Sequence, residues 1–181
     1  MPNWTTNRIY AEGSTEQISD FLDKIRGDNG VLDFNRIIPM PELLRHTGSG
    51  SCTIDGKRVA EWYVVDRGNH ELKIPEQIRI FTPEEEAELL EIGHRSWYDW
   101  SYANWGTKWN ACDPEIEDEG SPKYGYVRII FMTAWAAPEP ILHKLAAMFP
   151  FLSLTCEWRH EDESEYPHEL RFPAKKTAGA A

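Results

Sequence analysis

The sequence predicts an α+β domain whose core elements run β-α-β-β-α-β, interrupted by a large insertion after the first helix. Three observations carry this expectation. Two segments have helical apolar spacing, one near each end of the chain. Residues 126–133 are apolar at most positions, as a central strand covered on at least one face should be. Residues 152–159 alternate apolar and polar side chains, which marks a half-buried strand.

The elements follow in order. Residues 4–12 read as the first strand, ended by Gly13. Ser14 and Gln17 have the spacing of a capping box, in which each side chain satisfies a free backbone N–H at a helix start. Ile18, Phe21, Leu22 and Ile25 then fall on one helical face, and Gly27 supplies a C-terminal stop. Residues 28–50 are punctuated by Pro39 and Pro41, and Gly48-Ser49-Gly50-Ser51 has the composition of a mobile loop. Residues 52–54 and 57–65 flank Asp55-Gly56, a dipeptide suited to the positive φ of a two-residue hairpin turn. Residues 77–81 read as a short further strand.

Thr82-Pro83-Glu84-Glu85 starts a helix with a capping residue, a first-turn proline and acids that complement the dipole. That helix is expected to run to Gly106, with Leu90, Gly93, Trp97, Trp100 and Asn104 on one face. Residues 107–112 read as a strand, followed by an acidic loop through Pro122. After the central strand, Pro138 sits in the first turn of a second core helix. Its buried face is Ile141 or Leu142, with Leu145, Met148 and Phe149. Leu152, Leu154, Cys156 and Trp158 form the inner face of the last strand. The rest, 161–181, reads as an unstructured tail.

Removing the insertion, at about residues 28–106, leaves the split βαβ or ferredoxin-like pattern over 1–160. In it, two helices cover one face of a four-stranded antiparallel sheet.

Composition narrows the function. The chain has 181 residues and a net charge of −11. Half of its 30 acids lie in three clusters, around Glu84–Glu91, Asp113–Glu119 and Glu157–Glu165. A nucleic-acid binder ordinarily offers the opposite charge to phosphate, so the sequence argues against that partner. Acidic clusters suit a solvated surface or contact with a basic protein. No apolar run approaches the ~20 residues of a membrane span, and no secretory signal opens the chain. The three cysteines are odd in number and widely spaced, as in a cytoplasmic protein with reduced thiols. No H-E-x-x-H, repeated C-x-x-C or phosphate-loop motif occurs, so no metal and no cofactor is expected.

Four strings carry a resemblance. They are Met1-Pro2-Asn3-Trp4 with Asn7; Phe34-Asn35-Arg36-Ile37-Ile38-Pro39-Met40-Pro41; Trp97-Tyr98-Asp99-Trp100 with Asn104-Trp105-Gly106-Thr107-Lys108-Trp109-Asn110; and Thr133-Ala134-Trp135 with Pro138-Glu139-Pro140. In this order they resemble the YubB ferredoxin-like domain family of conjugative plasmids, phages and bacterial genomes. The resemblance implies the ferredoxin-like fold. It also implies an accessory role on a mobile genetic element, in anti-defence or DNA maintenance, with no activity to carry over.

Candidate binding residues come from the same strings: Asn7, Asn104, Trp105, Lys108, Trp109, Asn110 and Trp135. Indoles can stack on a flat ligand while Lys108 holds an anion and the amides fix orientation. The same rings can equally fill a core seam, with each N–H bonded to a carbonyl. His94 and Asp99 are five apart on poorly matched faces, which offers no acid–base pair. Tyr10 and Phe131 lie at roughly the places of the stacking residues in an RNA-binding sheet, but without the basic surroundings such sheets have. The expectation is a non-enzymatic protein that binds a protein partner. The alternatives are a small-ligand or enzymatic site at residues 104–110, and single-stranded nucleic-acid binding.

Overall fold

A computed structural model describes residues 3–49, 52–54, 56–59, 62–66, 77–117 and 121–175. In chain order the elements are β1 (Trp4–Glu12), α1 (Thr15–Ile25), a 3-10 turn (Phe34–Arg36), α2 (Glu42–Arg45), β2 (Thr47–Ser49), β3 (Cys52–Ile54), β4 (Lys57–Val59), β5 (Trp62–Asp66) and β6 (Gln77–Arg79). Then come α3 (Pro83–Ile92), α4 (Trp97–Trp105), β7 (Cys112–Ile116), a 3-10 turn (Ser121–Tyr124), β8 (Tyr126–Ala134), α5 (Glu139–Met148), β9 (Ser153–His160) and β10 (His168–Phe172). The protein is thus α+β with antiparallel sheets. It divides into two compact units, residues 1–39 with 104–181, and residues 40–103.

The first unit holds a five-stranded sheet in the order β10-β9-β1-β8-β7, antiparallel throughout. Alternation sorts its two faces. Thr5, Asn7, Ile9 and Ala11 of β1 are buried, as are Val127, Ile129, Phe131 and Thr133 of β8 and Leu154 and Cys156 of β9. In register, Ile9 lies between Ile129 and Cys156. From the helices come Ile18, Phe21 and Ile25 of α1 and Ile141, Leu142 and Leu145 of α5, all buried. Phe21 meets Phe149, just past α5, edge to face with centroids 5.0 Å apart. Each such fully buried side chain contributes roughly 1.5–3 kcal/mol. The Ser14–Gln17 capping box forms at the start of α1, as its spacing predicts.

Two expectations about this sheet need correcting. The strand expected at 107–112 lies at Cys112–Ile116 instead. Its Asp113 and Pro114 sit where the register slips between Cys112 and Glu115. An edge strand tolerates a proline there, because a bulge leaves the missing N–H unneeded. The unstructured tail expected at 161–181 begins too early. A turn after β9 returns the chain as β10, which pairs with β9 from His168↔Trp158 to Phe172↔Leu154 and makes a fifth strand. Residues 176–181 of that expected tail lie outside the described residues.

Phe131 also needs correcting. It faces the helices and is buried, leaving Tyr10 on the other face with Arg8, Arg128 and Arg159. Glu117 pairs with Arg8 at 3.4 Å and with Arg128 at 3.3 Å. The guanidinium of Arg8 lies 4.2 Å from the centre of the Tyr166 ring.

The second unit contains a three-stranded sheet, β2-β5-β6, and the β3–β4 hairpin. The hairpin forms around Asp55-Gly56, but its second strand ends at Val59, and residues 62–65 of the strand expected at 57–65 fall in β5 of the other sheet. Gly48 and Ser49 of the expected mobile loop lie in β2, whereas Gly50, Ser51 and Asp55 lie outside the described residues. The long helix expected from Thr82 to Gly106 is two helices. Gly93, at φ 78°, ends α3 in the left-handed conformation that glycine adopts without strain. Ser96 then starts α4: its Oγ accepts from the Asp99 N–H at 3.2 Å and donates to the Asp99 carboxylate at 3.0 Å. Leu90 of the expected face is exposed, and its neighbour Leu89 is buried instead. No helix among the described residues is long and apolar enough to cross a membrane.

Candidate binding site

Among the described residues, two that are not glycine have positive φ: Asp113, at 47° in the β7 bulge, and Trp135, where β8 ends. Trp135 has φ 71°, in the left-handed region. A bulky side chain there costs on the order of 1–3 kcal/mol and persists only when its surroundings hold it. Three hydrogen bonds do so. Trp135 N–H donates to the Asn3 carbonyl at 2.8 Å, Thr133 Oγ1 donates to the Ala136 carbonyl at 2.7 Å, and Thr107 Oγ1 donates to the Ala134 carbonyl at 2.8 Å. The result is an indole left 39% exposed at the corner of the sheet.

A row of rings and one ammonium continues from it. Lys108 Nζ lies 5.1 Å from the Trp135 ring centre and 4.6 Å from that of Trp109. Trp109 in turn lies 6.1 Å from Trp4, with the planes tilted by 40°. Cation–π contact of this kind steadies the lysine over both indoles.

Trp135 also borders a cavity of about 530 Å³, lined by Asn3, His160, Glu161 and Asp162. These last three close β9 and begin the turn towards β10. Glu161 accepts the Trp4 N–H at 3.1 Å. His160 Nδ1 shares a 3.1 Å hydrogen bond with the Thr5 hydroxyl, and its N–H donates to Glu163 at 2.7 Å. That backbone bond, with the His168 imidazole, holds the Glu163 carboxyl below its usual pKa. The cavity lining therefore joins an exposed indole to the carboxylates of Glu161 and Asp162. Such a pairing accommodates an organic cation, whose charge meets the acids and whose stem or plane meets the indole.

The sequence-derived residues separate into two groups. Lys108, Trp109 and Trp135 come together at this corner. Trp105 does not: it is 4% exposed, its Nε1 donates to the Ile38 carbonyl at 2.9 Å, and its ring meets Phe34 edge to face. Asn110 ties the chain: its Oδ1 accepts from the N–H groups of Phe34 and Ala111, and its Nδ2 donates to Asp33 at 2.7 Å. Asn7 is buried inside the sheet face that the helices cover. Its Nδ2 donates to Thr133 Oγ1 at 2.9 Å, while its Oδ1 meets no donor among the described residues. Asn104 is half-buried in the last turn of α4.

Asn3, Trp4, His160, Glu161 and Asp162 are the members that sequence reasoning missed. Each lies at a strand end or in a turn, where periodicity carries no signal. Elsewhere, burial pushes the Cys156 thiol up to about 12, and the Cys112 thiol is raised too, so neither is poised as a thiolate at neutral pH.

No curated protein and no solved structure matches the chain. A family profile described as a ferredoxin-like domain in Api92-like protein does match, over residues 104–166. This stretch runs from the end of α4 to the turn before β10, so the part of the chain carrying Lys108, Trp109, Trp135 and the acidic lip is similar to a domain of a family of unknown function.

Proposed function

We propose that this protein is a non-enzymatic binding module that holds a basic segment of a partner protein at the Trp135 corner. The single observation carrying this reading is the Trp135 indole, kept in a costly backbone conformation at the rim of a cavity with Glu161 and Asp162. Strained backbone of this kind clusters at active sites and ligand clamps. A net charge of −11 adds long-range attraction for a cationic partner.

The finer fold reading is the ferredoxin-like topology. It is supported by the chain order of β1, α1, β7, β8, α5 and β9 and by their spatial order β9-β1-β8-β7. On that fold, the resemblance to the YubB family supports an accessory role on a mobile genetic element, with anti-defence as one form of it.

The test uses arginine- and lysine-rich peptides as the probe, read by fluorescence anisotropy. Peptide binding should weaken as salt rises. It should fall about tenfold or more in Trp135→Ala, the cost of losing an aromatic anchor. Glu161→Gln and Asp162→Asn should weaken it further. Undetectable binding at low salt, or equal binding by all variants, would refute the reading.

A second reading has its own observation. Arg8, Arg128 and Arg159 cross three neighbouring strands on the face bearing Tyr10, beside Tyr166. Arginines among aromatics suit single-stranded nucleic acid. Oligonucleotide binding that is lost in Arg8→Ala but unchanged in Trp135→Ala would favour this face instead.

A further inference from the structure

We infer that His160, Glu163 and His168 form a binding site for one divalent transition metal of the zinc class. The ring nitrogens and the carboxylate oxygen that these residues offer all lie within 4.8 Å of one another. Two imidazoles with one carboxylate make a donor set suited to zinc and its neighbours. Magnesium and calcium prefer oxygen alone.

The placement follows from the strands. His160 is the last residue of β9, His168 the first of β10, and Glu163 lies in the turn joining them. The β9–β10 register sets His168 opposite Trp158, two residues before His160 on the same face. The two imidazoles therefore converge, with ring centroids 5.3 Å apart. His168 Nε2 and Glu163 Oε1 are 3.1 Å apart, joined by a hydrogen bond. Zinc bonds of about 2.0–2.2 Å require neighbouring ligand atoms to stand at about that separation. A metal would take the place of the shared proton with little movement of this pair. The His160 imidazole offers the third ligand atom from within the same 4.8 Å.

Each ligand is also oriented by a neighbour that does not touch the metal position. The Thr5 hydroxyl engages His160 Nδ1, leaving Nε2 to ligate. Trp158 stacks on His168 with an interplanar angle of 12°. The other Glu163 oxygen accepts the His160 N–H at 2.7 Å. Outer contacts of this sort fix tautomer and ring direction in metal sites. With three protein ligands, a fourth position remains for water or a group from a bound molecule. The site stands whether or not the Trp135 corner binds basic peptides, because its readout is metal alone.

The test is titration calorimetry of the full chain with zinc, in a buffer that does not chelate. The expected result is one equivalent bound with a Kd of about 1 µM or tighter. His160→Ala and His168→Ala should each weaken binding at least about tenfold, and His143→Ala should leave it unchanged. Cobalt should give the visible absorption of a four-coordinate ion in the wild type and lose it in His168→Ala. Where circular dichroism shows an alanine variant unfolded, His160→Gln and His168→Gln take its place, since glutamine retains hydrogen bonding without the imidazole. No binding at about 100 µM zinc, or folded variants that bind as the wild type does, would overturn the inference.

Discussion

Asn110 shows how one side chain can look like a ligand contact in sequence and serve the fold in space. It stands among indoles and beside Lys108, the setting of a small polar site. Its amide instead accepts two backbone N–H groups, from Phe34 and Ala111, and donates to the buried Asp33. The Phe34 ring that this bond positions packs edge to face on both Trp105 and Phe131. Removing the amide leaves two backbone donors unpaired and takes one of two donors from the Asp33 carboxylate, which keeps the Asn35 N–H, so Asn110→Ala should destabilise the chain by about 2–3 kcal/mol in urea unfolding. Asn110→Asp restores the acceptor but sets a second carboxylate against Asp33, and should recover little. A ligand-only role for Asn110 predicts the opposite, with both variants as stable as wild type. Residue type alone could not separate these roles, because polar atoms amid aromatics serve either one. The same ambiguity surrounded Trp105, whose indole N–H is bonded to a carbonyl inside the unit.

At the scale of elements, helix starts were the most legible feature, because capping chemistry is local. Ser14 with Gln17 closes the box its spacing announces, and Thr82, legible as a capping residue, closes one with Glu85. In α3 the box is tied further: both oxygens of Glu85 take hydrogen bonds from Arg79 at 2.7 Å. Chiefly those bonds, with the Thr82 N–H, lower the Glu85 pKa to about 2. A carboxyl whose folded pKa is depressed stabilises the fold above its unfolded value, near 4.3, and that contribution fades as pH falls towards 2. Thermal melts of wild type and Glu85→Gln should therefore differ most above about pH 5 and converge by about pH 2. A gap that stays constant across this range would show that the charge plays no part. Helix ends and edge strands were less legible than helix starts. Gly93 has the spacing of a helical face yet ends α3, and Ser96 and Asp99 carry the spacing of a fresh start. In β7, Asp113 and Pro114 read as loop residues because propensity describes regular strands, whereas a bulged edge accepts both. The turn to β10 was hidden by its acids: Glu161, Asp162, Glu163 and Glu165 look like a solvated tail until pairing with β9 fixes them.

At the scale of the whole molecule, the chain order of the first unit was legible because each of its main elements has strong periodicity. What joins them was not, because pairing between the ends of the chain is non-local. The segments 1–39 and 104–181 form one unit, and 40–103 another. The ends of the interruption lie close together, since Trp105 Nε1 reaches the Ile38 carbonyl at 2.9 Å. A linker of about eight glycine and serine residues spans up to ~26 Å, enough to join Pro39 to Asn104 even with the length of the Trp105 side chain between the backbones. The first unit also keeps its own core of β1, β8, β9, α1 and α5. Replacing residues 40–103 with such a linker should therefore leave a folded protein. Closing a shorter loop costs less entropy, which favours the shortened chain slightly. The expected signature is a single cooperative melt, with β1, β8 and β9 retaining the slowest amide exchange. A chain that melts without cooperativity, or exchanges those amides freely, would mean that the five-stranded sheet depends on residues 40–103. Retained zinc binding by the shortened chain would locate that site in the first unit, since His160, Glu163 and His168 all belong to it.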